Sequence, residues 1–139
     1  MFYNELKPGD AVPALVKEPI QKVQLIKYAG ASGDYNLIHT DVETARSVGL
    51  PDVIAHGMLS MAFLGQFLSE LAGAEGVKRL KVKFAAMVHL QDVITCKGTV
   101  KQVTPADGNR AVVTLDVWAE NQKGEQVTAG EAEVYLPGH

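Results

Sequence analysis

The sequence has little cysteine, few aromatic residues and no excess of basic charge, and these shortages exclude several classes of protein. One cysteine, Cys96, cannot form an internal disulfide, which suits a reducing compartment. The net charge of −3, from 13 Lys and Arg against 16 Asp and Glu, offers no basic surface for nucleic acid. No Gly-rich phosphate-binding pattern is present, and no His or Cys cluster has metal-ligand spacing, so no metal is expected.

A signal peptide and a long apolar run are also missing. The first ten residues lack a basic start followed by an apolar segment. The longest apolar stretch, residues 57–72, is interrupted by polar residues such as Gln66 and Glu70, and it is shorter than the ~20 residues that a membrane span requires. We therefore expect a soluble, cytoplasmic protein with no membrane partner. The length of 139 residues and the apolar fraction of 47% suit a single domain over residues 1–139.

The spacing of apolar residues predicts short helices, then one long helix, then strands. Residues 57–72 are apolar nearly all the way round, which predicts a helix buried on every side. From Leu80 onward, alternation with a period of two predicts four consecutive antiparallel strands. A run of helices followed by a run of strands indicates an α+β fold.

Two local signals refine this pattern. Thr40 and Glu43 have the spacing of a capping box, which predicts a short helix that begins at Thr40. In the last predicted strand the apolar alternation changes phase near Gly130, which predicts a β-bulge at that glycine.

The segment 31–39 places a carboxylate and an imidazole in one loop flanked by glycine. Asp34 and His39 are close enough in sequence to reach a single water, and a histidine with an ordinary pKa near 6.5 can take and return a proton. Asn36, between them, is expected to brace the loop, because Asn side chains bond to local backbone. On spacing alone, the simpler interpretation is a turn-capping aspartate and a surface histidine.

His56 and Gly57 stand where the long helix is predicted to begin. A helix N-terminus carries unpaired N–H groups at the positive end of its dipole, so the Gly57 N–H is a candidate oxyanion donor. Gly57 also permits close packing, and both interpretations are compatible. For His56 we favour a hydrogen-bonded neighbour without a role of its own. No G-x-S-x-G pattern surrounds Ser60, and Cys96 lies in mid-strand, so a hydrolase triad is not expected.

Taken together, residues 28–39, YAGASGDYNLIH, and residues 54–59, IAHGML, resemble the hydratase motif of MaoC-like (R)-specific enoyl-thioester hydratases. The resemblance is closest to short (3R)-hydroxyacyl-thioester dehydratase subunits, and it runs from about the N-terminus to the last strand. It implies a hot-dog fold, in which an antiparallel sheet wraps around one long central helix. It further implies that Asp34 and His39 are catalytic and that the Gly57 N–H stabilises the oxyanion.

The same resemblance suggests the substrate and the assembly. The motif residues Asn36, Ile54 and Met58 are expected to bind substrate. Leu37 stands where family motifs often carry proline, and Leu64 and Gly65 occupy the stretch where some members place a hydroxyl. We expect a homodimer with the acyl site between subunits, which would also cover an exposed strand edge. A heterodimer with a related subunit is the alternative.

The expected reaction is the reversible hydration of a trans-2-enoyl thioester, on CoA or acyl carrier protein, to the (R)-3-hydroxyacyl thioester. It needs neither a metal nor a redox cofactor. Two alternatives stay open: a non-catalytic hot-dog partner subunit of a heteromeric dehydratase, and an acyl thioesterase. The retention of both Asp34 and His39 argues against the first, and an assay for free thiol distinguishes the second.

Overall fold

The apolar segment in the middle of the chain forms the longest helix, which packs against a five-stranded sheet. The computed structural model describes residues 1–139. Its elements, in chain order, are β1 (Leu15–Val16), α1 (Lys22–Ser32), α2 (Val42–Ser47), α3 (Gly57–Ala72), β2 (Val77–Phe84), β3 (Thr95–Ala106), β4 (Arg110–Glu120) and β5 (Gln126–Pro137). Short 3₁₀ turns occupy Tyr3–Glu5, Leu37–His39 and Ala74–Gly76. The α+β class expected from the sequence is confirmed.

The strands lie in the order β1-β3-β4-β5-β2, and every neighbouring pair is antiparallel. The four predicted strands are present, but β2 does not pair with β3, the next strand along the chain. It crosses to the far side of the sheet and pairs with β5, where Val82 lies opposite Gly130. This crossover brings Phe84, at the end of β2, beside the N-terminus of α3. A side chain at Gly57 would contact the Phe84 ring, with 3.5 Å between its Cβ and the ring.

Apolar side chains between the sheet and α3 form the core. The alternation in β4 behaves as predicted, because its inward residues are at most 1% exposed: Ala111, Val113, Leu115, Val117 and Ala119. All of them except Ala111 belong to one cluster of 23 buried residues that includes Leu64 and Leu68 of α3. Apolar burial of this extent is the main stabilising contribution to the fold.

One face of α3 is buried and the other is not, so the prediction of burial on every side is wrong for this chain. The buried residues recur at helical spacing: Leu59, Ser60, Phe63, Leu64, Phe67 and Leu68. Met58, Ala62, Gln66 and Glu70 follow one another at four-residue intervals on an exposed stripe. The single sheet layer covers only one side of the helix. No helix of the chain combines the length and the apolar character needed to cross a membrane.

Two local predictions are corrected by the backbone. Asp41, rather than Thr40, caps α2, and its carboxylate accepts the Thr44 N–H at 3.3 Å. Thr40 instead ends the preceding 3₁₀ turn. A side chain can cap only the helix end that its backbone reaches, and Thr40 is one residue too early.

The bulge in β5 lies before Gly130. Ala119 of β4 pairs with Thr128 and Glu120 pairs with Gln126, so Val127 is the extra residue. Gly130 has a different explanation, because a Cβ on it would lie 2.7 Å from the Cα of Val82 on the neighbouring strand. Glycine therefore permits the close approach of β2 and β5.

Candidate active site

Local hydrogen bonds build the loop that carries Asp34 and His39. The preceding helix α1 ends at Gly33, whose φ of 77° lies in the left-handed region that favours glycine. The Asn36 N–H donates to Asp34 Oδ1 at 3.3 Å, and Asn36 Oδ1 accepts the Ile38 N–H at 3.2 Å. The Asn36 side chain thereby caps the 3₁₀ turn that ends at His39, so its predicted bracing of the loop is confirmed.

The His39 ring is buried, with the residue 7% exposed, and one hydrogen bond sets its tautomer. Its Nδ1 lies 2.8 Å from the backbone carbonyl oxygen of Ile54. Because a carbonyl oxygen only accepts, Nδ1 carries the proton in the neutral ring, and Nε2 presents a lone pair. The ring is therefore oriented as a base at Nε2.

That nitrogen faces the carboxylate of Asp34, with 3.7 Å between His39 Nε2 and Asp34 Oδ2. Both atoms accept hydrogen bonds when the ring is neutral and the carboxylate is ionised, so they do not bond directly to each other. At this distance, a water beside the two atoms can donate one proton to His39 Nε2 and the other to Asp34 Oδ2. The Asp34 side chain is 52% exposed and meets solvent, whereas the His39 side chain is 9% exposed.

A cavity of about 150 Å³ lies beside His39, between the start of α3 and the ends of β2 and β5. Gly57 and Ser60 line its helical side, and Phe84 and Thr128 line its sheet side. A larger cleft of about 420 Å³ lies near the other end of α3, where Glu70 is the only lining residue with a titratable side chain. The smaller cavity is the one whose lining includes histidine side chains, His39 and His56.

Gly57 opens α3 and no side chain caps this helix N-terminus. Its N–H belongs to the first turn, which has no partner within the helix, so it is free to bind an acceptor in the cavity. The backbone conformation at Gly57 does not require glycine, since a Cβ there would make only ordinary contact, 3.5 Å, with the Phe84 ring. Folding alone therefore does not demand glycine, and an added side chain would project toward the cavity.

A second imidazole, His56, lies against the pair. Its ring stacks on His39 with 3.9 Å between centroids and 22° between planes, and the edge of Tyr28 packs against it. His56 Nε2 lies 3.2 Å from the Asp34 carbonyl oxygen. Burial lowers the pKa of His56, and the nearby His39 lowers it further, whereas the bond to Asp34 opposes the shift.

Asp34, His39 and His56 form a cluster of three residues whose side chains can ligate metals. Their geometry does not suit a metal ion. The two rings lie almost parallel, so lone pairs in the ring planes do not converge on one point. One nitrogen of each ring is also committed to a backbone carbonyl.

The structure brings some of the predicted site residues together and leaves others apart. His39, Ile54 and Gly57 line the cavity, and the Ile54 carbonyl oxygen also lies 2.8 Å from His39 Nδ1. Asp34 does not line it but lies beside His39. Met58 is exposed outside the lining residues, and Asn36 acts within its own loop. Their roles in substrate binding stay predictions.

Ser60, Phe84 and Thr128 are among the lining residues that were not identified from the sequence as part of the site. Ser60 could have been found, because it lies one helical turn after Gly57 and shares its face. Phe84 and Thr128 lie together at the cavity only because β2 pairs with β5. Cys96 is buried, and burial raises the pKa of its thiol to about 12, which agrees with a structural strand residue.

An antiparallel sheet packed on one long helix, with an aspartate–histidine pair near the start of that helix, is the arrangement of a hot-dog protein. The chain belongs to the MaoC-like domain family, because residues 4–122 match the family model described as "MaoC like domain". The fold and the family expected from the sequence are thereby confirmed.

Several of the similar proteins are hydratases. The (R)-specific enoyl-CoA hydratase of Rhodospirillum rubrum is 28% identical over 138 residues, which cover 98% of this chain and 92% of that protein. An R-hydratase structure from Pseudomonas aeruginosa has a TM-score of 0.82 and 30% identity, covering 99% of this chain and 86% of that one. The (R)-hydratase of A. caviae has a TM-score of 0.81 and 27% identity, covering 96% and 98%.

Proposed function

We propose that the protein catalyses the reversible hydration of a trans-2-enoyl thioester to an (R)-3-hydroxyacyl thioester, carried on CoA or acyl carrier protein. The observation that carries the proposal is the 3.7 Å between His39 Nε2 and Asp34 Oδ2, beside a cavity at the uncapped N-terminus of α3. Family membership and the similar (R)-hydratases support the same reaction class.

In the hydration direction, a water held by Asp34 Oδ2 and His39 Nε2 attacks C3 of the enoyl group. His39 Nε2 accepts one proton of that water as the C3–O bond forms. The C2–C3 π electrons move toward the thioester, and the charge on its oxygen is stabilised by the Gly57 N–H. Protonated His39 then delivers a proton to C2, and the thioester is left intact.

The His39–Ile54 hydrogen bond supports this role. It holds the Nδ1–H tautomer in the resting state and stabilises the imidazolium that forms after proton transfer, because Nδ1–H still donates to the carbonyl. The reaction adds the elements of water without a change in redox state, so we propose that it requires no metal or redox cofactor.

The surroundings of the site support assembly with a second subunit. Five large apolar side chains in the segments that carry the site are more than half exposed: Tyr35, Leu37, Met58, Phe84 and Met87. Strand β2 pairs only with β5, so its outer edge is unpaired within this chain. We propose a homodimer in which the partner covers this surface and completes the acyl site, with a heterodimer of related subunits as the alternative.

Sedimentation velocity at micromolar concentration tests the assembly. We expect a species of two chains, because pairing of the free edges and burial of the apolar surface both favour association. An active monomer would contradict the interfacial site, whereas a monomer that becomes active only with a related subunit would support the heterodimer.

The reaction is tested with purified protein and crotonyl-CoA, followed by longer enoyl-CoAs, by measuring loss of the conjugated double bond. We expect hydration with no release of free thiol, and a product that an (S)-specific 3-hydroxyacyl-CoA dehydrogenase does not oxidise. Thiol release would indicate a thioesterase instead. Absence of turnover on both CoA and acyl-carrier-protein substrates would favour a non-catalytic subunit.

A further inference from the structure

His56 contacts both members of the proposed catalytic pair. Its ring stacks on the ring of His39, and its Nε2 lies 3.2 Å from the carbonyl oxygen of Asp34. The residue is 1% exposed and immediately precedes the oxyanion donor Gly57. One side chain therefore touches the base, the loop of the carboxylate and the start of α3.

The hydrogen bond to Asp34 connects distant parts of the chain. The other hydrogen bonds at Asp34 join it to Ser32 and Asn36, each two positions away, whereas His56 is 22 positions away. The Asp34 side chain is half exposed and follows a glycine. The bond from His56 is therefore the link that ties the aspartate to the body of the protein.

Packing alone does not explain histidine at this position. A carbonyl only accepts, so Nε2 of His56 donates, and Nδ1 is left as an acceptor. That Nδ1 is buried and has no hydrogen-bond partner. A phenyl ring would fill a similar space without an unpartnered nitrogen, but it could not donate to Asp34.

We propose that His56 is a positioning residue for hydration: it holds the plane of the His39 ring by stacking and anchors the backbone of Asp34 by donating to its carbonyl oxygen. This role rests on the proposed function. Protonated His56 would place a second cation against protonated His39, so the stack works with His56 neutral. The ionisable groups that face His56 are His39, Asp34 and, through its ring edge, Tyr28.

Three substitutions separate the two contacts. His56→Phe keeps a ring on His39 and removes the donor, His56→Gln keeps an N–H donor and removes the ring, and His56→Ala removes both. We expect kcat per folded molecule to fall by about 10- to 100-fold in His56→Ala, because small misplacements of reacting groups have effects of this size. His56→Gln and His56→Phe should each restore part of that loss.

The comparison of kcat with stability distinguishes positioning from packing. We expect His56→Phe to melt at or above the wild-type temperature yet to turn over more slowly, with KM nearly unchanged. The matched control is His139→Gln, at an exposed residue that pairs with Glu5, and it should behave as wild type. Wild-type kcat in folded His56→Ala, or in both His56→Phe and His56→Gln, would overturn the proposal.

A measurement without substrate separates this inference from the proposed function. Long-range ¹H–¹⁵N spectra of the imidazoles should show His56 as the neutral Nε2–H tautomer, with a titration midpoint below about 6.5, the ordinary pKa of histidine. An Nδ1–H tautomer for His56 would overturn the proposed anchor to Asp34. If the spectra agree but the wild type hydrates no enoyl thioester, the proposed function fails instead.

Discussion

The sheet and the connection between α1 and α3 differ in how much of their stability comes from apolar packing and how much from directional hydrogen bonds. Strands β3, β4 and β5 pair over 11 or more residues each, and the inward side chains of β4 are almost completely buried. Residues 33–56 contain a 3₁₀ turn, a six-residue helix and an isolated β-bridge at Ile54, and side-chain hydrogen bonds to backbone hold much of the segment. The sheet spreads its stability over many apolar contacts, whereas the connection adds only Ala45, Val53 and Ala55 to the core cluster and relies more on a few directional bonds.

Two glycines show the same contrast at single residues. A Cβ on Gly130 would collide with the backbone of β2, whereas a Cβ on Gly57 would make only ordinary contact with the Phe84 ring. The first glycine is required by packing in the sheet. Packing does not require the second glycine, which faces the cavity. We therefore propose that Gly57 serves catalysis. Substitutions in each region should therefore affect different measurements.

The largest effect is expected in the connection. His39→Ala and Asp34→Asn should each lower kcat by about 10²- to 10⁴-fold, because they remove acid–base assistance or the group that holds the water. Melting temperatures should stay close to wild type, since neither residue belongs to the core cluster. The matched control Asp107→Asn lies in the exposed turn after β3 and should turn over normally. Near-wild-type kcat in either site variant would contradict the proposed catalytic role of that residue.

At the helix N-terminus, Gly57→Ala should lower kcat per folded molecule by about 10²-fold, the lower end of the effect of losing an oxyanion donor. The new methyl group would lie toward Phe84, where the thioester oxygen must approach. The melting temperature should not fall. A stable variant with normal kcat would contradict the assignment of the Gly57 N–H as the oxyanion donor.

In the sheet, Gly130→Ala should lower the free energy of unfolding by about 1–3 kcal/mol, because the added methyl group forces β2 and β5 apart. Urea denaturation measures this loss. Gly30→Ala in α1 is the control, since a Cβ there meets nothing within 4 Å and should stabilise the helix by about 0.5–1 kcal/mol. Equal stability of the two variants would contradict the packing role of Gly130.

The smallest effect is a pH dependence of stability from His56. Its pKa is lower in the folded protein than the value of about 6.5 expected in the unfolded chain. Between these two pKa values the unfolded chain binds more protons, so the free energy of unfolding falls as pH drops below about 6.5. His56→Gln should weaken this slope in urea titrations at pH 7.5 and 5.5. Parallel slopes for variant and wild type would mean that His56 does not contribute.

The sheet was predictable from the sequence because strand alternation is a local signal. The two-residue spacing of Val113, Leu115 and Val117 predicts that their side chains share one face of the strand, and all three are buried. The limits of α3 were equally clear, from the apolar run and the Gly57 start. Its exposed stripe was not, because an apolar helix does not reveal how many of its faces the rest of the chain covers.

The site was predictable only in part. The sequence alone placed Asp34 and His39 in one loop, brought Gly57 to a helix start, and through its resemblance to MaoC-like hydratases indicated the family. The tertiary structure decided that β2 lies beside β5, so that Phe84 and Thr128 meet Gly57, and that His56 stacks on His39. Local patterns report neighbours within one helical turn or one strand, whereas these contacts depend on the path of the chain, which only packing of the whole core determines.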